Sequence, residues 1–255
     1  MSDSTTRFSS RVDHYVKYRP SYPPELLDFL FGQNFLHPGD AVGDIGSGTG
    51  IFTKLLLERG VKAYGVEPNG PMRAAAETYL SSFGDAFVSI DGRAEASGLD
   101  GQSLDAITCA QAFHWVDPVA AKREFARILK PGGPVMVIWN NRSVDADAFS
   151  AAYDQVLLTY GIGYQRVKNS WVVPDAVWQD FFEGGQYAFQ RFDNRQVFEW
   201  EGLLGRSLSA SYVPNEQDPA FPEFQRQLRL VYDAHQDNGL VAFTYHTEVY
   251  VGKIC

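Results

Sequence analysis

Cysteine is almost missing: Cys109 sits inside an apolar run and Cys255 ends the chain, which leaves no disulfide framework and no metal-ligand spacing. No apolar stretch approaches the length of a membrane span. Residues 1–10 are Ser/Thr-rich and lack the apolar core of a secretory signal. These absences predict a cytoplasmic setting, with no membrane partner and no metal. Positive charge is also scarce. With 22 Lys and Arg against 31 Asp and Glu, the formal net charge is −9, so the global field draws neither phosphate backbones nor anionic lipid, and no nucleic-acid partner is expected. Repeats and low-complexity segments are absent by inspection.

What remains is ordinary globular composition, 45% hydrophobic and 21% charged over 255 residues, the size of one domain carrying an elaboration. Residues 24–31 carry Leu26, Leu27, Leu30 and Phe31 at helical spacing behind two prolines. A short strand at 41–45 meets the glycines at 46–50, and 51–58 reads as a helix ended near Gly60. The rhythm repeats: strand 61–66, helix 71–80, strand 87–90, strand 106–110, helix 118–129, strand 135–139. Parallel neighbours need crossovers, so this alternation predicts a doubly wound, mainly parallel α/β sheet of the Rossmann-like kind.

After Asn141 the rhythm changes. Segments 149–160 and 217–235 look helical and 186–200 contains strand-like stretches. From Val241 to Val251 apolar and polar residues alternate with the period of a two-faced strand, expected to be the last of the sheet. The organisation expected is one domain over 1–255: arm and first helix at 1–37, cofactor-binding core at 38–141, cap and late sheet elements at 142–238, last strand at 239–255. The cap contains Trp171, Trp178, Phe181, Phe182, Tyr187, Phe189, Trp200 and Tyr212, interleaved with Arg166, Arg191, Arg195 and Arg206. Most of those aromatics are expected in the core, yet acceptor specificity should reside in this segment. The expected state is a monomer or a homodimer.

In an open parallel sheet, ligands bind beyond the carboxyl ends of the strands. Gly46, Ser47, Gly48 and Gly50 occupy the first strand-to-helix turn, where glycine lets a ligand approach the backbone and the helix start presents free N–H groups. A dinucleotide fingerprint counted from Gly46 needs a third glycine at 51, which is Ile51. Asp44, ending the first strand, suits an ammonium better than a pyrophosphate. Glu67, ending the second strand, is placed for both hydroxyls of a ribose, whichever nucleoside carries it. A dinucleotide-dependent oxidoreductase therefore stays open on the turn and Glu67 alone.

The set Asp44 to Gly50, Val66-Glu67-Pro68, Gly92-Arg93-Ala94-Glu95 and the turn Arg127 to Gly133 resembles the class I S-adenosylmethionine-dependent methyltransferases, specifically the type 11 group, over about residues 15–140. The resemblance implies a seven-stranded sheet with one antiparallel strand. It sets Asp44 and the glycines around the methionine moiety, Glu67 on the ribose with Pro68 and Met72 beside it, and Arg93, Ala94 and Glu95 at the adenine. Many relatives have Asp at the position of Arg93. Arg cannot accept a hydrogen bond from the adenine amino group, so Glu95 or a backbone carbonyl must replace it.

Residues 15–23 are similar to a segment that folds over the cofactor in one branch of the group. This implies that Tyr15 and Arg19 close on the methionine tail, with Arg19 pairing its carboxylate. Gln111, Phe113 and His114 follow the fourth strand, where relatives line the methionine tail and the acceptor. His114 is the candidate general base. The implied function is transfer of a methyl group from S-adenosylmethionine to a small molecule, a carboxylate or hydroxyl compound, by in-line displacement. A chain that keeps the cofactor site without turnover is the other reading.

Overall fold

The computed structural model describes residues 12–170 and 173–254. The Ser/Thr-rich start, Trp171 and Cys255 lie outside these residues. The helices are α1 (Val12–Tyr18), α2 (Pro24–Gly32), α3 (Ile51–Glu58), α4 (Gly70–Tyr79), α5 (Pro118–Ile128), α6 (Ala148–Tyr160), α7 (Tyr164–Ser170), α8 (Asp175–Phe181), α9 (Trp200–Leu208) and α10 (Phe221–His235). The strands are β1 (Ala41–Ile45), β2 (Lys62–Val66), β3 (Phe87–Ile90), β4 (Ala106–Ala110), β5 (Val135–Arg142), β6 (Tyr187–Phe198) and β7 (Val241–Gly252). No helix among the described residues is long and apolar enough to cross a membrane.

The seven strands form one sheet in the order β3-β2-β1-β4-β5-β7-β6. β1 to β5 run parallel, and β7 is antiparallel to both β5 and β6. The central strands are buried on both faces, which is why they read as near-continuous apolar runs rather than alternating ones. β7 alternates buried and half-buried residues along its length, as its sequence predicts. The last strand in the chain is not at the edge of the sheet, however. It inserts between β5 and β6, and β6 takes the edge, where Arg191, Asp193 and Arg195 are charges of the kind that discourage further pairing.

Pairing with β7 also explains why β5 runs three residues beyond its apolar stretch. Asn140, Asn141 and Arg142 are held in register with Thr247, His246 and Tyr245. Composition alone ends the strand at Trp139, because the partner that extends it lies a hundred residues away.

Helix starts follow local chemistry. The Asp117 side chain accepts from the N–H groups of Val119 and Ala120 at the start of α5, and Asn69 accepts from Met72 N–H at the start of α4. α5 turns Ala121, Phe125 and Ile128 onto one face of the sheet. There they meet Trp178, Phe181 and Phe182, so these three cap aromatics are core, on the α5 side. α2 and α3 cover the opposite face through Leu26, Leu30, Phe52 and Leu56. A third cluster joins α6, α9 and α10 to β7, with Phe243 stacked on Phe149 and tilted against Tyr153.

Phe243 is fully buried at that junction. Phe243→Ala should lower unfolding stability by about 3–5 kcal/mol, the usual cost of an aromatic-sized core deletion. Urea denaturation followed by circular dichroism measures this, and a loss under about 1 kcal/mol would mean that the cap does not depend on β7.

Candidate functional site

β1 pairs with β2 on one side and β4 on the other, so chain connections diverge from its carboxyl end and leave a crevice there. A cavity of about 440 Å³ occupies that crevice, within the roughly 300–1,000 Å³ typical of small-molecule sites. It runs from the β1–α3 turn past the ends of β2 and β4 to the end of β5 and the cap. Seven buried side-chain polar atoms among the described residues have no hydrogen-bond partner, and four of them belong to residues lining this cavity: Arg19 Nε, Thr49 Oγ1, His114 Nδ1 and Arg142 Nη1. Such concentration of unmet polar groups marks a place built for a ligand.

The glycine turn serves two purposes. Gly46 has φ 70°, and a Cβ there would lie 2.3 Å from the Cβ of Ala112, so only glycine lets the turn close on the segment after β4. Gly48 has φ 57° with open space around the missing Cβ, a gap that a ligand can fill. Ser47 lines the cavity as well, whereas Gly50 caps α3 and faces Leu80, outside it.

Asp44 is 1% exposed. Thr53 Oγ1 donates to its Oδ2 at 2.6 Å and Thr108 Oγ1 to its Oδ1 at 2.9 Å. Burial pushes its pKa up to about 6 despite both hydroxyls. The carboxylate keeps a lone pair on each oxygen and bounds the cavity from below. Glu67, at the end of β2, is held by two main-chain donors: Gly48 N–H to Oε2 at 3.1 Å and Asn69 N–H to Oε1 at 2.8 Å. Its pKa is raised by burial. Pro68 and the buried Met72 complete that wall.

After β3, the Arg93 and Ala96 main chains pair in an isolated bridge. This turns Ala94 inward and leaves the Arg93 side chain exposed, while Glu95 takes Asp117 N–H on Oε1 at 2.9 Å. All three line the cavity. Gln111 has φ 57°, unusual for a residue with a side chain, and its Nε2 donates to the Asn140 carbonyl at 2.9 Å. His114 leans on Trp115 with ring centroids 4.8 Å apart. Burial, with Arg19 nearby, lowers the His114 pKa to about 4, which leaves the ring neutral at pH 7. Phe113, its neighbour, points the other way into the core among Trp139, Trp178 and Phe181 and does not reach the cavity.

α1 and the segment after it close the top. Tyr15 and Arg19 line the cavity, with the guanidinium 4.7 Å from the centre of the Tyr15 ring. Tyr18 packs so closely on α9 that a Cβ at Gly205 would lie 2.2 Å from its ring. Several lining residues escaped the sequence reading, among them Tyr22, Asn69, Asn140, Asn141, Arg142, Ser211 and Tyr245. The polar run Asn140-Asn141-Arg142 at the end of an apolar strand was the available signal, since ligands bind beyond strand ends. Of the cap aromatics and arginines named from sequence, Tyr212 and Arg206 reach the cavity.

Residues 43–137 match the family described as methyltransferase domain. Uncharacterized methyltransferases of Mycobacterium bovis and Mycobacterium tuberculosis are 42% identical over 142 residues, 55% of this chain and 54% of theirs. The chain spans about half the length of these relatives. An uncharacterized methyltransferase of Geobacillus kaustophilus is 35% identical over 157 residues, covering 71% of that protein and 58% of this one. A solved chain from Anaeromyxobacter dehalogenans, assigned as a type II methyltransferase, superposes with a TM-score of 0.64 at 18% identity, covering 92% of this chain and 98% of that one. Phosphoethanolamine N-methyltransferase 2 of Haemonchus contortus, in complex with S-adenosyl-L-methionine, gives 0.58 at 15% identity, covering 99% and 59%. At such identities the structural likeness concerns the fold.

Asp44 and His114 give opposite pH signatures. Asp44 keeps a proton in the folded state between about pH 4 and 6 that the unfolded chain has released, so its contribution to stability falls as pH rises through that window. His114 does the reverse between about 4 and 6.5, because there the unfolded chain binds the extra proton. Relative to wild type, Asp44→Asn should gain stability as pH rises from 4.5 to 7, and His114→Asn should lose it. Urea midpoints at the two pH values measure both, and differences that do not change with pH would show that neither group is shifted.

Proposed function

This chain belongs to the methyltransferase family, and on that premise we propose that it transfers a methyl group from S-adenosylmethionine to a small-molecule acceptor, a carboxylate or hydroxyl compound, by in-line displacement. The observation that carries this reading is the joint position of Asp44, the open backbone at Gly48 and Glu67 on one cavity wall. Two main-chain N–H groups fix the Glu67 carboxylate, whose remaining lone pairs match the paired hydroxyls of a ribose. Asp44 supplies negative charge where an amino-acid ammonium would sit. Arg19 has a free Nε for a carboxylate beside it. At the adenine end, Glu95 Oε1 takes Asp117 N–H and Oε2 has no donor among the described residues, so it can accept from an amino group where Arg93 cannot. With Pro68, Met72, Ala94, Gln111 and Tyr15, these residues would enclose the donor. Gly50 and Phe113 support the site from outside it.

When bound, the sulfonium of the donor supplies an already electrophilic methyl group. The protein's share of the chemistry is then orientation and exclusion of water. An acceptor oxygen forms the new C–O bond as the sulfur–methyl bond breaks, with the electron pair left on sulfur. A carboxylate needs no proton removed. A hydroxyl must lose one, and His114 Nδ1, neutral and without a partner, could take it, although its lowered pKa makes it a weak base.

Calorimetry with S-adenosylhomocysteine tests the donor site. Glu67→Ala should weaken binding by about 1.5–3 kcal/mol, the range for hydrogen bonds to a charged group. Absence of binding to the wild-type chain at millimolar concentration would overturn the reading, and unchanged affinity in the variant would remove Glu67 from the ribose.

A further inference from the structure

The two ends of the cavity carry opposite charge. Four carboxylates, Asp44, Glu67, Glu95 and Asp117, outnumber the exposed Arg93 at the end formed by β1 to β3 and the start of α5. The cap end is lined instead by Arg19, Arg142 and Arg206. These three form one cluster. Arg19 Nη2 donates to the Ser209 carbonyl at 3.0 Å and Arg206 Nη1 reaches the Ser209 hydroxyl at 3.4 Å. Arg206 Nε donates to Tyr245 Oη at 3.3 Å, and Tyr245 stands opposite Arg142 in the β5–β7 register.

The cluster is short of negative charge. Arg206 is 6% exposed, yet among the described residues its hydrogen bonds go to hydroxyls alone, and Arg19 bonds a carbonyl and lies against the Tyr15 ring. Arg142 reaches Asp154 at 3.1 Å, but Lys168 already holds the other oxygen of that carboxylate at 2.8 Å. Among the described residues, one carboxylate therefore serves two of four neighbouring cations, and the remaining two have none. Burial, and after it the Arg206 charge, push the pKa of Arg19 down. A buried guanidinium without a counter-ion is costly enough that folds normally pair it. The carboxylate of the donor can answer one arginine, Arg19 in the reading above. It leaves Arg206 and Arg142, whose Nη1 has no partner among the described residues, in the lining of the rest of the cavity.

Resting on that reading of the donor site, we propose that the acceptor is a small oxyanion-bearing molecule, an organic acid or a phosphate monoester, anchored by Arg206 and Arg142 between β5 and α9. Guanidinium forks match both groups because each presents paired oxygens. Tyr212, Tyr245 and Ser211 form the neutral wall around the anchor. The acidic end of the cavity repels the acceptor's charge and so orients it, with its anchor toward the cap and the rest toward the donor.

The full-length chain is first titrated with S-adenosylhomocysteine, which tests the donor site by itself. Turnover with S-adenosylmethionine is then followed by mass spectrometry on three separate pools: small mono-, di- and tricarboxylic acids, small phosphate monoesters, and neutral alcohols and amides. Methylated product is expected from one of the two anionic pools, which identifies the anchor, and not from the neutral pool. Arg206→Met should raise KM for that acceptor at least tenfold and leave S-adenosylhomocysteine affinity within about threefold, and Arg206→Lys should fall between. If Arg206→Met does not fold by circular dichroism, Arg142→Gln carries the same comparison. Product from the neutral pool alone, an unchanged KM in the variants, or no product from any pool while S-adenosylhomocysteine binds would each overturn the proposal. No S-adenosylhomocysteine binding would instead sink the donor reading.

Discussion

The burial of one carboxylate organises this molecule. Asp44 is enclosed where β1, α3 and β4 meet, and the hydroxyls that satisfy it, on Thr53 and Thr108, come from the helix and the neighbouring strand. An uncompensated carboxylate there would cost several kcal/mol, so the two donors tie the glycine turn to the elements on either side. The turn in turn presents Gly48 N–H to Glu67 at the end of β2. Four elements thus fix each other's ends at one point, and that point is the wall of the cavity. The raised pKa of Asp44 is the residue of unmet solvation, the condition in which a ligand's positive charge gains most.

The roof of the cavity is held by a separate set of bonds. Asn194 on the edge strand donates to the Ser21 carbonyl at 2.8 Å and to Asn140 Oδ1 at 3.1 Å, and Gln196 donates to the Tyr18 carbonyl at 3.2 Å. Thr247 donates to the same Asn140 oxygen. The end of α1 and the segment after it are therefore fastened to β5 and β6 by side-chain amides of Asn140, Asn194 and Gln196, and β7 braces Asn140 through the Thr247 hydroxyl. This explains why such polar residues stand in strands that would otherwise favour apolar ones. It also couples the arm to the cap side of the site, because the strand segments that hold the chain beside Tyr15 and Arg19 are the ones that carry Arg142 and Tyr245.

Much of the fold was legible because it is written locally. The 3.6 and 2.0 periodicities of α5 and β7, the glycine turn after β1 and the proline-led helix α2 are each decided by neighbours in sequence. The donor half of the candidate site shared that advantage, since its residues end consecutive strands. The acceptor half did not. Asn140, Asn141 and Arg142 belong to β5 only because β7 pairs with them, and Tyr245 looks like one more member of an alternating strand until that register is known. Phe113 shows the opposite failure. Its position after β4 is right, but in a three-residue turn adjacent side chains diverge, so His114 enters the cavity and Phe113 the core.

The division of charge within a single cavity follows from these same connections. The ends of β1 and β2, with the segment after β3 and the start of α5, deliver four carboxylates and Arg93, and the end of β5, α9 and the segment after α1 deliver guanidiniums alone. A donor with a cationic sulfur and ammonium is complementary to the first set, and an anionic partner to the second. Each ligand lowers the field that opposes the other, so the two should bind with positive coupling: an occupied donor site adds positive charge that an anion can use. The overall charge of −9 works against any anion approaching from solvent, which makes the buried arginines the means by which an acidic protein can hold an acidic acceptor. Specificity then comes from a local excess of charge that the global composition conceals.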